Sequence, residues 1–496
     1  MPRPTGAPPS AGRGGPRVPS SVPTVVIRGG TVVDENGQRR ADVLCAGGTV
    51  SAVGESLEVP SGATVLDAGG CFVAPGLVDV HVHLREPGNE DAECIETGAR
   101  AAALGGFTAV VAMPNTDPPL DDAAVASEVL ALGAGAVCKI AVAGAITVGR
   151  AGERLAPMGE LADLGVRLFT DDGTGVQDSG VMRRALEYAR GFGVTVAEHC
   201  EDRALASGAA MHEGEWSSRL GVPGAPAEAE ELMVARDIAL SRLTKGRLHL
   251  LHLSSAGSVA LLAAAKAEGL AVTGEVTPHH LAFTDAELAG YDTAFKVNPP
   301  LRTAADVAAL RRACVTGTLD AIATDHAPHR PEAKDVPLAD AASGMLGLET
   351  ALAVVLGALC GGEGPSVQVT GGEQGSGRGE RLPERTGGGF DRAQGEERDL
   401  EPSRLSVRDV VGLMSWHPAR IAQMALCQRG DQGGPITPGS PANLCVFDPT
   451  ESWVVDPVRM ASRSRNTPWA GRELTGRVRH TICAGEPVVV GAEAQR

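Results

Sequence analysis

No C-x-x-C pair occurs in this chain, and its ten cysteines are scattered without framework spacing. A disulfide scaffold and a cysteine-based metal site are therefore not expected, and a reducing, cytoplasmic compartment is. The sequence also lacks any run of about 18 apolar residues, so no membrane-spanning helix is expected. The first 22 residues, MPRPTGAPPSAGRGGPRVPSSV, carry positive charge but no apolar stretch long enough for a signal peptide. Basic residues are in deficit: 44 Lys and Arg against 61 Asp and Glu give a formal net charge of -17. Nucleic acids and anionic membranes recruit clustered cations, so neither is expected as a partner. A small-molecule enzyme fits this balance better.

What the chain does have is apolar sequence for a large core. At 496 residues and 43% hydrophobic, it suits one large catalytic domain with a small attachment. The leader, residues 1–22, is too poor in apolar residues to offset ordering entropy and is expected to be disordered. From Val25 the texture changes to short β-rich runs cut by Gly turns: VVIRGGTVV, ADVLCAGGTVSAVG and ATVLDAGGCFVAPG. It returns at the far end in ANLCVFDPTESWVV and RVRHTICAGEPVVV. One composite β-domain from residues 23–74 and 430–490 is the expectation.

Between these ends, over 75–429, strand-like runs (FTAVVAM, LHLLHLS, LAVTGEVT, LDAIATDHA) alternate with helical ones (AVASEVLALGA, SGVMRRALEYARGF, GSVALLAAAKAEG). Such alternation predicts an α/β fold with a parallel sheet, and its length fits a (β/α)8 TIM-like barrel. Residues 361–402, rich in Gly, Glu and Arg, break the pattern and read as a disordered insertion within the barrel region. A tolerated loop expansion accounts for it, since loop closure entropy grows slowly with length; a regulatory or docking role is the alternative.

The chemistry-bearing residues sit at the ends of these strand-like runs. In Asp79-Val80-His81-Val82-His83-Leu84-Arg85-Glu86-Pro87-Gly88, strand alternation puts His81 and His83 on one side, where they can converge on a metal. Two hydrogen-bonded barrel histidines explain H-x-H alone equally well. Asp171-Asp172-Gly173 closes a further run, and by itself reads as a turn and helix cap. Then VTVAEHCE ends at His199, LHLLHLS at His252, and AIATDHAPH at Asp325 with His329 four residues on. Core packing favours Val, Ile and Leu at strand ends, so His or Asp at five of them, in chain order, forms a constellation that points to a site. Arg85, two residues past His83, is expected on that same side of an extended segment, presenting a planar guanidinium there. The remaining histidines, including His249, His279, His280 and His417, read as structural.

H-V-H-L-R-E-P-G, A-M-P-N-T, F-T-D-D-G, A-E-H-C-E-D, K-V-N-P-P-L-R and A-T-D-H-A-P-H together resemble the class I dihydroorotases of the amidohydrolase superfamily, from about Val25 to Gly485 without the insertion. The resemblance implies a barrel with a composite β-domain and one or two zinc ions per chain. It implies that His81, His83 and Asp325 hold one ion, that His199 and His252 hold the other, and that Asp172 bridges. Asp172 rather than Asp171 falls at the family's position relative to His199. For the substrate it implies a bidentate carboxylate grip by Arg85 with Asn115 and His329 and a ring contact from Asn298, although Asn115 taken alone reads as a turn residue before Thr116. The reaction implied is reversible cyclisation of N-carbamoyl-L-aspartate to L-dihydroorotate in pyrimidine biosynthesis, with zinc making hydroxide available and Asp325 as general acid and base.

Hydantoinases, dihydropyrimidinases and allantoinases bridge their metals with a carboxylated lysine, whereas no lysine lies between Lys139 and Lys245 here. The alternatives are such a relative, allantoinase or hydantoinase, or a non-catalytic partner of aspartate transcarbamoylase. A homodimer and a transcarbamoylase complex both stay open.

Overall fold

The computed structural model describes residues 22–361, 404–425 and 431–496. The expected leader, apart from Val22, and the expected insertion 361–402, apart from Gly361, lie outside the described residues.

Eight short strands carry the middle of the chain: β1 (Leu77–Val82), β2 (Phe107–Ala112), β3 (Lys139–Val142), β4 (Leu168–Phe169), β5 (Thr195–Glu198), β6 (Arg247–Leu250), β7 (Val272–Val276) and β8 (Ala321–Ile322). Each pairs in parallel with the next. Ladders join β1 to β2, β2 to β3, and β4 through β8, for example Val196 opposite Leu248 and Glu275 opposite Ala321. Two parallel bridges complete the ring, Gly144 with Phe169 between β3 and β4, and Val82 with His326 between β1 and the end of β8. The result is a closed (β/α)8 barrel with no free edge.

Helices follow the strands as the apolar patterning requires. Ser179–Phe192 begins under an Asp178 side chain that accepts from the Val181 N–H and ends at Gly193 in the left-handed region, φ 67°. Ala256–Ala267 starts likewise on the Ser255 hydroxyl. Barrel strands are covered on both faces, so β1 and β2 are buried at every position. One apolar cluster takes Val80, Ala109, Val111, Leu168 and Ala197 from four strands with Leu251 and Ala323, and side chains from non-adjacent strands meet only across the lumen.

Both chain ends meet in one seven-stranded sheet. Its order is Glu493–Ala494, Glu486–Val490, Glu473–Cys483, Leu444–Val454, Phe72–Pro75, Thr31–Asp34 and Gly37–Arg40. The junction is the antiparallel pairing of Leu444 with Pro75 and Val446 with Val73. A four-stranded sheet (Thr49–Gly54, Asp42–Ala46, Val25–Arg28, Thr64–Asp67) shares its core through Val25, Ile27, Val43, Val73, Leu444 and Ile482. Among the described residues, no helix is long and apolar enough to cross a membrane.

On either side of residues 362–403 the chain is held together: the Leu405 N–H donates to the Leu359 carbonyl at 3.0 Å. A short linker can therefore span the gap. Deleting residues 365–398 is expected to leave turnover within about twofold of the full chain, because shortening a connection whose two ends already meet changes closure entropy little. A loss beyond about tenfold in steady-state assays would contradict this.

Candidate active site

Strand β1 ends at Val82, and its carboxyl end is tied across the barrel seam. Asp79 accepts from the His81 N–H at 3.0 Å and from the Thr324 N–H at 3.2 Å, while the His83 N–H donates to the His326 carbonyl at 2.9 Å. These bonds bring His81 and His83 against Asp325. The His83 Nε2 lies 3.0 Å and the His81 Nε2 3.6 Å from Asp325 Oδ1. From the β4 end Asp172 enters the same space, 3.3 Å from His81, 3.5 Å from His83, and 3.6 Å from both His199 and His252. The last two rings approach at 3.0 Å, His199 Nδ1 to His252 Nε2. All six side chains are buried. His81, His83 and Asp325 form one group of converging ligand atoms, and His81, Asp172 and His252 a second. His252 (φ 32°) and Asp325 (φ 48°) occupy the left-handed region, a strain that the surrounding packing must enforce.

The electrostatics suit a cation. Burial raises the carboxyls, but the imidazoles, His81 foremost, hold Asp172 well below the usual carboxylate range, and His83 and His81 do the same for Asp325. Conversely, burial lowers His81 and His199, yet Asp172 raises both. Two buried anions thus call for positive charge between them. The His81 Nε2, aimed into the cluster, is buried and has no hydrogen-bond partner among the described residues. These residues fit a metal centre.

Which ring nitrogen is available is set from behind. Glu275, on β7, accepts at 2.9 Å from His81 Nδ1, and its other oxygen lies 3.0 Å from His249 Nε2. His249 Nδ1 in turn meets Thr273 Oγ1 at 2.8 Å. Burial raises Glu275, but His249 and His81 bring it down to about 2, so it is a carboxylate that fixes the His81 tautomer. His249 is accordingly part of the site's support and not merely a core histidine. A Glu in a mostly buried strand, VTGEV, that carries no other charge was the available signal. Glu275→Gln is expected to weaken metal affinity about 10- to 100-fold. Chelator competition measures this, and an unchanged affinity would contradict it.

The residues expected at the substrate rim this cluster. Asn115 Oδ1 lies 2.8 Å from His83 Nδ1, and Asn298 Nδ2 lies 3.4 Å from His199 Nε2. Arg85 Nε donates to the Pro328 carbonyl at 3.1 Å, and its Nη2 stands 3.4 Å from His329 Nε2. One expectation needs correction: Arg85 does not continue an extended segment. Its φ is 63°, so a left-handed turn past the strand end, not alternation, turns the guanidinium toward His329. His329 is pushed down to about 3 by burial and by the charges of Arg85 and Lys334, leaving a neutral ring. Asp171 stays outside the cluster, accepting from the Ile146 and Thr147 N–H groups at 2.9 and 3.0 Å. Arg150, which sequence reasoning passed over, donates to the Asp172 carbonyl.

Residues 70–258 match the family model described as Dihydro-orotase-like. Over 475 residues the chain is 46% identical to the dihydroorotase of Anaeromyxobacter dehalogenans, which covers 95% of this chain and 99% of that one. It is 43% identical over 466 residues to the dihydroorotase of Mycobacterium tuberculosis, covering 93% and 97%. The chain belongs to the dihydroorotase family. Among solved structures, L-hydantoinase (dihydropyrimidinase) from Arthrobacter aurescens matches with a TM-score of 0.77 at 23% identity, over 95% of this chain and 97% of that one. A D-hydantoinase matches with a TM-score of 0.74 at 22% identity, over 95% and 96%. Identity that low shows a shared fold alone. Within this fold the dihydroorotase family and the hydantoinases must part company at side chains.

Proposed function

We infer that this chain is a dihydroorotase, interconverting N-carbamoyl-L-aspartate and L-dihydroorotate. The observation that carries the reading is the buried cluster of His81, His83, His252, Asp172 and Asp325, with His199 against Asp172 and His252 and Arg85 at its rim, in a chain 46% identical to a dihydroorotase along nearly its whole length. His81, His83 and Asp325 would hold one zinc ion, and His199 and His252 a second, with Asp172 between them. When bound there, zinc polarises the scissile amide carbonyl and brings the pKa of water to about 7. Asp325 accepts the proton of the attacking water and returns it to the ring nitrogen as the carbon–nitrogen bond breaks. Arg85 and His329, with the Asn115 amide, bind the ring carboxylate, and Asn298 orients the ring. In the cyclising direction the same groups act in reverse: the carbamoyl nitrogen gives up its proton and attacks the side-chain carboxyl, and water leaves. We assign residues 23–74 and 430–490 to one β-domain and 75–429 to the catalytic barrel.

Asp172 carries its own negative charge, so no carbon dioxide adduct would be needed to supply an anionic ligand there. Chelation followed by zinc reconstitution is therefore expected to abolish and then restore dihydroorotate hydrolysis, with no response to added bicarbonate. Turnover surviving metal removal, or dependent on bicarbonate, would contradict the assignment.

A further inference from the structure

A segment far from the barrel in sequence fastens the two loops that carry Arg85 and His329. Asn466 is buried and lies on the connection that joins strand Leu444–Val454 to strand Glu473–Cys483 in the sequence. Its Oδ1 accepts from the His329 N–H at 3.0 Å, while its Nδ2 donates to the Ala327 carbonyl at 2.9 Å and the Gly344 carbonyl at 3.1 Å. The Asn466 carbonyl accepts from the Leu346 N–H at 3.0 Å. Both donors of the amide and its oxygen are thus in use, and they join the turn after β8 to residues 344–346. The His329 ring lies between those two stretches, its Nε2 2.8 Å from the Ser343 carbonyl.

The same connection grips the loop after β1. The Arg463 N–H donates to Glu93 at 3.0 Å, Ser462 Oγ also bonds Glu93, and Ser464 Oγ donates to the Ala92 carbonyl at 2.6 Å. Glu93 reaches back to His326 Nε2 at 3.3 Å. Residues 462–466 therefore hold one loop by Glu93 and the other by Asn466. Between those anchors stands the contact of Arg85 Nη2 with His329 Nε2.

We propose that Asn466 is a positioning residue for substrate recognition: it sets His329, and through it Arg85, at the spacing that a ring carboxylate requires. The proposal rests on the dihydroorotase reading. Asn466 bonds His329, Ala327, Gly344 and Leu346 rather than any of the six ligand side chains, so its loss alters the carboxylate grip while the metal centre stays intact. A grip made in the ground state and kept through the reaction appears in KM rather than in kcat.

The test uses the full-length, metal-loaded protein, with kcat and KM for dihydroorotate and metal per chain measured on each sample. Asn466→Ala is expected to raise KM by about tenfold or more, since displacing a positioning group by about an ångström is costly. Metal content is expected to stay at the wild-type value and kcat within about threefold. Asn466→Ser keeps a hydroxyl acceptor for the His329 N–H and should raise KM less; it carries the same test if the Ala variant does not fold. In a His329→Ala background, Asn466→Ala should add less than about twofold, because both act through one contact. An unchanged KM, or the same factor in both backgrounds, overturns the proposal while leaving the dihydroorotase reading in place. A wild-type protein that does not hydrolyse dihydroorotate overturns both.

Discussion

Replacing Asp325 by Asn is expected to lower turnover in both directions by about 10² to 10⁴ from lost acid–base help alone. The aspartate sits where two demands meet, with Oδ1 3.0 Å from His83 Nε2 and 3.6 Å from His81 Nε2. An amide there supplies neither the anionic ligand nor a proton acceptor. It also leaves a second imbalance, because Asp172 would then face four histidines without its partner anion. Metal per chain should accordingly fall together with kcat. Steady-state assays from dihydroorotate and from carbamoyl aspartate, with metal analysis of the same sample, check both effects. Residual activity above about a tenth of wild type would remove Asp325 as the acid–base group.

Arg85→Met is expected to have a comparable effect on dihydroorotate by a different route. The guanidinium is half-buried beside neutral His329 and fixed by the Pro328 carbonyl, so a substrate carboxylate entering there meets a partly desolvated cation. Removing one side of such a pair costs about 2 to 5 kcal/mol, or roughly 30- to 5000-fold in kcat/KM. Arg85 bonds the Pro328 carbonyl and meets His329 rather than any of the six ligand side chains, so metal content should be unchanged. Arg85→Lys restores charge without the planar fork and should remain clearly impaired. Equal damage to dihydroorotate and to uncharged dihydrouracil would show that Arg85 does not read a carboxylate.

Much of this was legible before any coordinates, because barrel chemistry is concentrated at strand ends and each strand end is a local sequence feature. His81, His83, Asp172, His199, His252 and Asp325 each close a strand-like run; five of them form the converging ligand groups, and His199 meets Asp172 and His252 beside them. Two kinds of feature were not legible. Where the backbone leaves the strand, alternation stops applying: Arg85 turns at φ 63°, and the run LDAIATDHA yields only a two-residue strand before Asp325 at φ 48°. Support from behind was the other gap. Glu275 lies 194 residues from His81 and Asn466 137 from His329, and nothing local in either stretch names its partner. Such pairings follow from barrel closure and from the return of the C-terminal strands to the N-terminal sheet.

Whether this barrel reads a ring carboxylate beside a metal centre is decided by wild-type kcat/KM for dihydroorotate against dihydrouracil on zinc-loaded protein. The account predicts a preference for dihydroorotate of at least about 30-fold, the lower bound set by one buried charge pair. A preference for dihydrouracil, or none, would contradict it.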